Sequence, residues 1–449
     1  MARKNKMEFC FAVHMRMFPS HRQEQILWKN LNASRFIYNQ LLANSYTDSA
    51  INKLNKLYPI PKNYWKYRTV KGKKTAITKS KKRAVGLDRI TAEKYPWLGD
   101  KDLDSLMFYN TEIHYQSAWQ MFRKVHQSGI PKFKRKDRSV QSYSTSAIKQ
   151  KGATLYTKSS IRFLDHSHLQ LPKIGRIKVK FTRPLPNNNA VITTATVKHF
   201  SDGTWFVSLL LRSNQSFVKE LPLATDPIGI DLNLTEFLVD SNGNKVDNPR
   251  YYRKSRKHLA RLQHELAIKY RRAKKEKRNL RDCKNYQKLR QKVASLHKHV
   301  LNQRNSFTHV LSTALVKNHD LVVAENLQGK NMIKNHALAM SISDAGWRTF
   351  LNQMEYKAKM YSKTFVEIDP KYTTQRCHAC GHIKKDKDHI SLSGNKAHQT
   401  DHFTYICYNK ECPLYMQKQD RDVNASKNIL DKGYSVLLGF TSPKTKISR

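Results

Sequence analysis

The chain has 449 residues, with 83 Lys+Arg against 34 Asp+Glu and a formal net charge of +49. At roughly 150 residues per domain the length suggests about three domains. Charge of one sign on this scale opposes compaction unless a polyanion offsets it, which points to DNA or RNA and away from a cationic surface that serves solubility alone.

Residues 7–18, rich in Phe, Val and Met, predict a short strand. Ser20 with Gln23 three positions on matches a capping box, and Leu27, Leu31, Tyr38 and Leu41/Leu42 then recur at helical spacing. Residues 50–100 read as irregular and basic, with Lys71-Gly-Lys-Lys74 and Lys79-Ser-Lys-Lys-Arg83, and residues 101–127 as helical again. From about residue 129 the signal changes. Gly129-Ile-Pro-Lys-Phe-Lys-Arg-Lys136 is a basic extended segment, in which Lys132, Lys134, Arg135 and Lys136 are the candidate phosphate contacts; the plainer reading is an exposed basic loop. Tyr and Phe near the basic segments could stack on bases, although most read as core residues. Val191–Val197 and Trp205–Leu211 flank Asp202-Gly203, a hairpin signal, so residues 160–220 predict a small β-barrel or curled sheet.

A third region begins near residue 226. Ile228-Gly-Ile-Asp231 reads as a buried strand ending in a carboxylate, and Asn242-Gly243 as a hairpin turn. Residues 251–318 contain no Pro or Gly and predict a long helical hairpin, with Tyr286, Leu289, Val293, Leu296 and Val300 on one apolar face. Across residues 253–304 the only acids are Glu265, Glu276 and Asp282, too few to pair the bases within the helices, so these helices are expected to face phosphates. Leu321-Val-Val-Ala-Glu325 is a second buried strand ending in an acid. Phe365-Val-Glu-Ile-Asp369 is a third, with a largely helical segment between them. Strands alternating with helices predict an α/β layer.

Asp231, Glu325 and Asp422 stand out as a set. The first two end apolar strands; the third sits in Asp420-Arg-Asp422-Val-Asn424-Ala, which reads as a helix start. An acid at a strand end is most often a loop cap. Buried carboxylates are nevertheless costly unless paired or metal-bound. Three that converge could hold two Mg²⁺ ions for phosphodiester hydrolysis, one activating water and the other stabilising the departing 3′ oxygen. The order strand-Asp, strand-Glu, helix-Asp matches a ribonuclease-H-like sheet of RuvC type, whereas transposases of the Asp-Asp-Glu type place Glu last.

Of the six cysteines, Cys10 and Cys283 are isolated, while Cys377-x-x-Cys380 and the pair Cys407 and Cys412 cluster near the C-terminus. Four thiolates would close one tetrahedral structural Zn²⁺ site, with His378, His382, His398 or His402 as possible replacements for a cysteine. Cys407 and Cys412 have four residues between them, wider than the usual two. This cysteine usage is unlike a secreted disulfide framework. The start Met1-Ala-Arg-Lys-Asn-Lys lacks the apolar core of a signal sequence, and no run approaches the ~18 apolar residues of a membrane span. The expectation is a soluble, intracellular protein in a reducing compartment, without a membrane partner.

Phe11–Phe18 with Pro19 and Arg35-Phe-Ile-Tyr-Asn39 resembles the start of TnpB proteins, the transposon-encoded RNA-guided nucleases. Gly229-Ile-Asp231-Leu-Asn, Val323-Ala-Glu325-Asn-Leu-Gln-Gly-Lys-Asn-Met332, Tyr372-Thr-Thr-Gln-Arg-Cys377-His-Ala-Cys380-Gly and Asp420-Arg-Asp422-Val-Asn-Ala resemble that family's later motifs, in family order. Compact type V CRISPR effectors share the same nuclease core. The resemblance implies an α+β multidomain protein, in which a wedge-type β-barrel is interrupted by a helical recognition lobe. A RuvC/RNase H-like α/β nuclease domain with a zinc-binding insertion follows. On this chain that places a first wedge strand at 1–18, the recognition lobe at 19–127 and the barrel at 128–225. The nuclease would occupy 226–375 and 416–435, the zinc-binding insertion 376–415 and a tail 436–449. It implies Asp231, Glu325 and Asp422 as the Mg²⁺-binding catalytic acids, and Cys377, Cys380, Cys407 and Cys412 as the zinc ligands. It also implies a guide RNA, a double-stranded DNA target beside a short recognition motif, a monomer as the favoured state, and a prokaryotic, nucleoid-associated location. The alternatives are a compact type V CRISPR effector and an RNA-guided DNA-binding repressor that does not cut. Repressors of that kind typically lose their acids, and all three are present here. The wide second cysteine pair and the long loop from Cys380 to Cys407 depart from the family pattern. They bear on the shape of the element that loads the target strand, not on its metal.

Overall fold

The computed structural model describes residues 9–51, 67–70, 73–76, 90, 93–125, 128–136, 140–181, 185, 189–218, 221–224, 226–327, 336–391, 394–395, 397–439 and 446–448. The basic run at 79–83 and the motif stretch at 328–332 lie outside the described residues. The chain divides into two compact units, Met1–Phe217 and Val218–Arg449.

In the first unit the elements run β1 (Phe9–Phe18), α1 (His21–Ile51), β2 (Tyr67–Val70), β3 (Lys73–Ala76), α2 (Ser105–Lys124), β4 (Val140–Ser146), β5 (Arg162–Asp165), β6 (His168–Leu171), β7 (Gly175–Lys180), β8 (Val191–Phe200) and β9 (Trp205–Ser213). Among the described residues β1 and β4–β9 form a seven-stranded sheet in the order β4-β8-β9-β1-β7-β6-β5, and every pairing is antiparallel. Alternate residues of β9 are buried, as expected for a sheet with one face on a core. The Asp202-Gly203 turn joins β8 to β9 with Gly203 at φ 83°, a conformation that favours glycine. The capping box starts α1. Ser20 N–H donates to Gln23 Oε1 at 3.0 Å, and Gln23 N–H donates to Ser20 Oγ at 3.4 Å. Leu27, Leu31 and Leu41 of α1 join Met15 and Met17 of β1 and Met107 and Tyr115 of α2 in one core.

The second unit runs β10 (Ile228–Asp231), β11 (Glu236–Asp240), β12 (Lys245–Asp247), α3 (Tyr251–Lys275), α4 (Lys284–Asn318), β13 (Leu321–Glu325), α5 (His336–Ala345), α6 (Trp347–Met360), β14 (Thr364–Ile368), β15 (Thr404–Ile406), β16 (Lys418–Asp420), α7 (Arg421–Leu437) and β17 (Lys446–Ser448). Its main sheet has the order β12-β11-β10-β13-β14-β17. β10, β13 and β14 are parallel, with antiparallel neighbours on either side. The predicted helical hairpin is present as α3 and α4; Leu289, Val293 and Val300 are buried and Tyr286 and Leu296 half-buried. One face of the sheet packs on α4 and α6 through Phe237, Ala324, Phe350 and Phe365. The other packs on α7 through Val323, Val366 and Ile429. Among the described residues no helix is long and apolar enough to cross a membrane.

Two glycines set how closely α7 lies on this sheet. A Cβ at Gly229 of β10 would stand 2.1 Å from the Ser426 carbonyl oxygen and 2.8 Å from the Leu430 nitrogen, both backbone atoms of α7. A Cβ at Gly433 of α7 would stand 2.4 Å from Val323 Cγ2. Backbone cannot yield as a flexible side chain can, so Gly229→Ala is expected to push α7 off the sheet. Overpacking of this kind costs about 3 kcal/mol, and the melting temperature of the purified variant should fall by roughly 6–12 °C.

Candidate functional site

β10 and β13 are parallel neighbours with Ile230 opposite Ala324. The next residue of each strand is an acid, so Asp231 and Glu325 leave the same edge of the sheet. Asp422 lies in the first turn of α7, the helix that crosses β10 at Gly229. The start of that helix is fixed by Asp420, whose Oδ1 accepts the N–H groups of Asp422 at 2.9 Å and Val423 at 3.2 Å. Asp420 Oδ2 accepts from Lys245 Nζ at 2.5 Å, which ties the cap to β12. The N-terminal turn of a helix favours an anion, and Asp422 supplies one.

Two of the carboxylates have side-chain partners of their own. Asp422, 4 % exposed, accepts at Oδ2 from Asn233 Nδ2 at 2.8 Å. Its Oδ1 accepts from Arg421 Nε at 3.1 Å and Nη2 at 2.9 Å. Glu325 accepts at Oε1 from the Thr373 hydroxyl. Asp231 keeps some exposure at the strand end, yet burial pushes its carboxyl well above the usual carboxylate range, and the charges of Glu325 and Asp422 push it further. Burial also raises Glu325 to about 7, against the opposing Thr373 hydrogen bond. Glu325 and Asp422 thus both oppose the ionisation of Asp231, and oxygen donors of this kind suit a hard divalent cation, although the three carboxylates are not drawn within 4.8 Å of one another as the four cysteine sulfurs are.

The four cysteines make a second centre. Their sulfurs are the one group of three or more His, Cys, Asp or Glu ligand atoms within 4.8 Å of one another among the described residues. The pairs are Cys377–Cys412 at 3.8 Å and Cys380–Cys407 at 3.6 Å, and no disulfide joins them. With Zn–S bonds of about 2.3 Å, the edge of a regular S₄ tetrahedron is about 3.8 Å, so this set can bind a metal such as zinc. Gly381 at φ 74° turns the chain after Cys380, and Gly381 N–H donates to the Cys377 carbonyl at 2.9 Å. The four residues between Cys407 and Cys412 include Asn409. Its side chain accepts from Glu411 N–H at 3.2 Å, and its carbonyl accepts from Cys412 N–H at 3.0 Å, so the wider spacing forms a compact turn. The histidines weighed as replacements have other surroundings. His398 bonds Asp388 at 2.7 Å and stacks on Tyr408, and His402 packs on Phe403.

A short clamp joins the two centres. Asn424 and Asn428, one turn apart on α7 and both buried, donate to the Arg376 carbonyl at 2.8 and 2.6 Å. Asn428 also donates to the Thr373 carbonyl at 3.0 Å, and Asn424 Oδ1 accepts from His378 N–H at 3.0 Å. The loop that carries Thr373 to Glu325 is thus the loop that leads into Cys377. Asn233, Thr373, Arg421 and Asn428 were not singled out from the sequence. Their nearness to Asp231, Cys377 and Asp422 in the motifs was the available signal. In the first unit Lys132, Arg135 and Lys136 are exposed. Lys134 instead lies over the Tyr38 ring at 4.2 Å, and burial lowers its ammonium to about 8. Asn39 holds it there: Asn39 Oδ1 accepts the Lys134 N–H at 2.8 Å, and Asn39 Nδ2 donates to the Lys134 carbonyl at 3.0 Å.

Comparison with known proteins gives a consistent set of likenesses. Residues 347–429 match the family model of the Cas12f1-like TNB domain, residues 212–336 that of the OrfB_IS605 family, described as "Probable transposase", and residues 7–47 that of its helix-turn-helix domain. A Streptomyces pristinaespiralis protein named "Putative RNA-guided DNA endonuclease" is 31% identical over 323 residues, 71% of this chain and 69% of that protein. The Escherichia coli K12 protein "Putative RNA-guided DNA endonuclease InsQ" is 25% identical over 441 residues, 95% of this chain and 93% of its own length. A solved Cas12f1–sgRNA–target DNA complex aligns over 98% of this chain and all of that one, with 13% identity and a TM-score of 0.46.

The raised Glu325 carboxyl has a stability consequence with a definite sign. Its ordinary value is 4.5 and its folded value about 7. Between these the native state binds more protons than the unfolded chain, so stability falls as pH rises through that window. Thermal melts without added divalent cation should lose stability from pH 4.5 to 7, and Glu325→Gln should flatten that slope. An unchanged slope in the variant would place the titration elsewhere.

Proposed function

The chain belongs to the TnpB family of RNA-guided DNA endonucleases, and we propose that it cuts double-stranded DNA, at sites chosen by pairing with a guide RNA, through a metal centre on Asp231, Glu325 and Asp422. The observation that carries this reading is the placement of the acids: two at the ends of adjacent parallel strands, the third on the helix packed across one of them. The sheet order β12-β11-β10-β13-β14 supports a RuvC/RNase H-like domain. The net charge of +49 supports a protein that grips nucleic acid by its backbone and leaves sequence reading to base pairing.

Asp231, Glu325 and Asp422 would hold Mg²⁺, which would supply an activated water and charge stabilisation at the departing 3′ oxygen. The remaining work falls to the chain. Asn233 and the Asp420 cap orient Asp422. Thr373 orients Glu325, and Lys432 braces the neighbouring loop by donating to the Asp369 carbonyl at 3.2 Å. Glu325 and Asp422 are both buried, which keeps bulk water from them. The sheet formed by β1 and β4–β9 is assigned to the wedge barrel, and α1 and α2 to the recognition lobe. The exposed side chains of Lys132, Arg135 and Lys136 are assigned to phosphates; Lys134 anchors their segment. Cys377, Cys380, Cys407 and Cys412 would hold one structural zinc, which would supply a staple rather than chemistry.

RNA that co-purifies with the protein from its native locus should be one defined species ending at the element boundary. With that guide and Mg²⁺ the protein should cut matched duplex DNA, and Asp231→Ala should reduce cutting to background while DNA binding persists. Only random cellular RNA, or intact DNA bound with guide and Mg²⁺ present, overturns the reading. The purified protein should also carry one zinc per chain by metal analysis. Cys407→Ser should lose it and melt lower by several degrees, since such metal binding is part of the folding free energy.

A further inference from the structure

Arg421 has no part in the reaction as proposed, yet its guanidinium lies on one of the acids. It donates to Asp422 Oδ1 from Nε at 3.1 Å and from Nη2 at 2.9 Å. The pair is largely buried, with side-chain exposures of 16% for Arg421 and 6% for Asp422. The other carboxylate oxygen is held by Asn233 at 2.8 Å. Local structure alone does not favour this cation. Positive charge in the first turn of a helix opposes the macrodipole, and adjacent helical residues do not ordinarily face one another. A buried ion pair also loses much of its Coulomb gain to desolvation. What the arrangement does provide is a positive charge on one of the three carboxylates at this end of the sheet.

We propose that Arg421 is an exchangeable counter-ion, a positioning residue that neutralises Asp422 until a divalent cation takes that carboxylate, so that metal loading and release of the guanidinium are coupled. The inference rests on the reading of Asp231, Glu325 and Asp422 as a metal site. Arg421 then raises the divalent-ion concentration needed to load the site, and keeps α7 docked on the sheet in the absence of metal. An ordinary structural ion pair would stabilise the fold equally with and without metal.

The test uses the full chain, freed of nucleic acid, with Mn²⁺ as probe, bound ion counted by electron paramagnetic resonance and stability read by thermal melting. Without Mn²⁺, Arg421→Gln is expected to melt below the wild type. The gap should close as Mn²⁺ saturates, and half-saturation should come at about tenfold lower Mn²⁺. Arg421→Lys, which keeps the charge without the guanidinium fork, should fall between the two, and it decides the matter if the Gln variant does not fold. A melting gap that Mn²⁺ leaves unchanged, with an unchanged Mn²⁺ midpoint, overturns the proposal. Asp231→Ala separates the two levels. If Mn²⁺ binding depends on Asp231 but not on Arg421, the counter-ion fails alone. If wild-type binding survives Asp231→Ala, the metal-site reading fails and takes the counter-ion with it.

Discussion

The site depends on one close approach, that of α7 to β10 and β13. Gly229 lets the backbone of α7 come nearer to the strand than any side chain would allow, and Gly433 does the same against Val323. Asp231 is two residues from Gly229, and Asp422 is one turn from Ser426, the residue whose carbonyl Gly229 meets. The distance between helix and sheet is therefore the distance between acids. Helix rotation is fixed at the same end, where Asp420 caps α7 and is itself tied to Lys245 of β12. Separation and rotation are thus set by backbone packing and a cap, while the acids supply only charge.

That charge works against the fold. Burial raises Asp231 and Glu325, and the charges of Glu325 and Asp422 raise Asp231 further; two of the three acids are nevertheless kept in place by side-chain donors, Asn233 and Arg421 on Asp422 and Thr373 on Glu325. The cysteine centre solves a different problem. Its ligands lie on turns and short strands with little core of their own, so the cluster of Cys377, Tyr405, Cys407 and Cys412 with Ile390 is most of what holds the segment together. Soft thiolates suit zinc and carboxylates suit magnesium, so the two centres differ in donor type although a single helix braces both.

Much of the fold was legible in the sequence because it is written in local patterns. Short apolar runs ending in Asp231 and Glu325 are strands, the stretch without Pro or Gly is a pair of helices, and Ser20 with Gln23 is a cap. Asn242-Gly243 and Asp202-Gly203 are turns with glycine at positive φ. What escaped is set by distant contacts or by residues without a distinctive signature. β1 lies between β9 and β7, with Val13 opposite Leu209 and Arg16 opposite Lys180, partners separated by most of the first unit. The break between α3 and α4 carries no glycine; Lys277 takes φ 50° there instead. Lys134 reads as one of a run of surface bases, and only the fold turns it onto Tyr38.

The position of the cysteine segment in the chain follows from the same geometry. It departs after β14 and returns through β16 directly into α7, and β15 pairs with β16 so that Thr404 lies opposite Asp420. The return path is thus fixed to the residue that caps the helix of Asp422. Loop-closure entropy rises only slowly with length, so the long stretch from Cys380 to Cys407 adds little cost once both ends are held. Asn424 and Asn428 hold the departing end through Arg376 and Thr373, and the four sulfurs hold the middle. The length and cysteine spacing of this segment leave Asp422 in place so long as both anchors hold. The four residues between Cys407 and Cys412 show how: the turn through Asn409 absorbs them, and the sulfurs still meet.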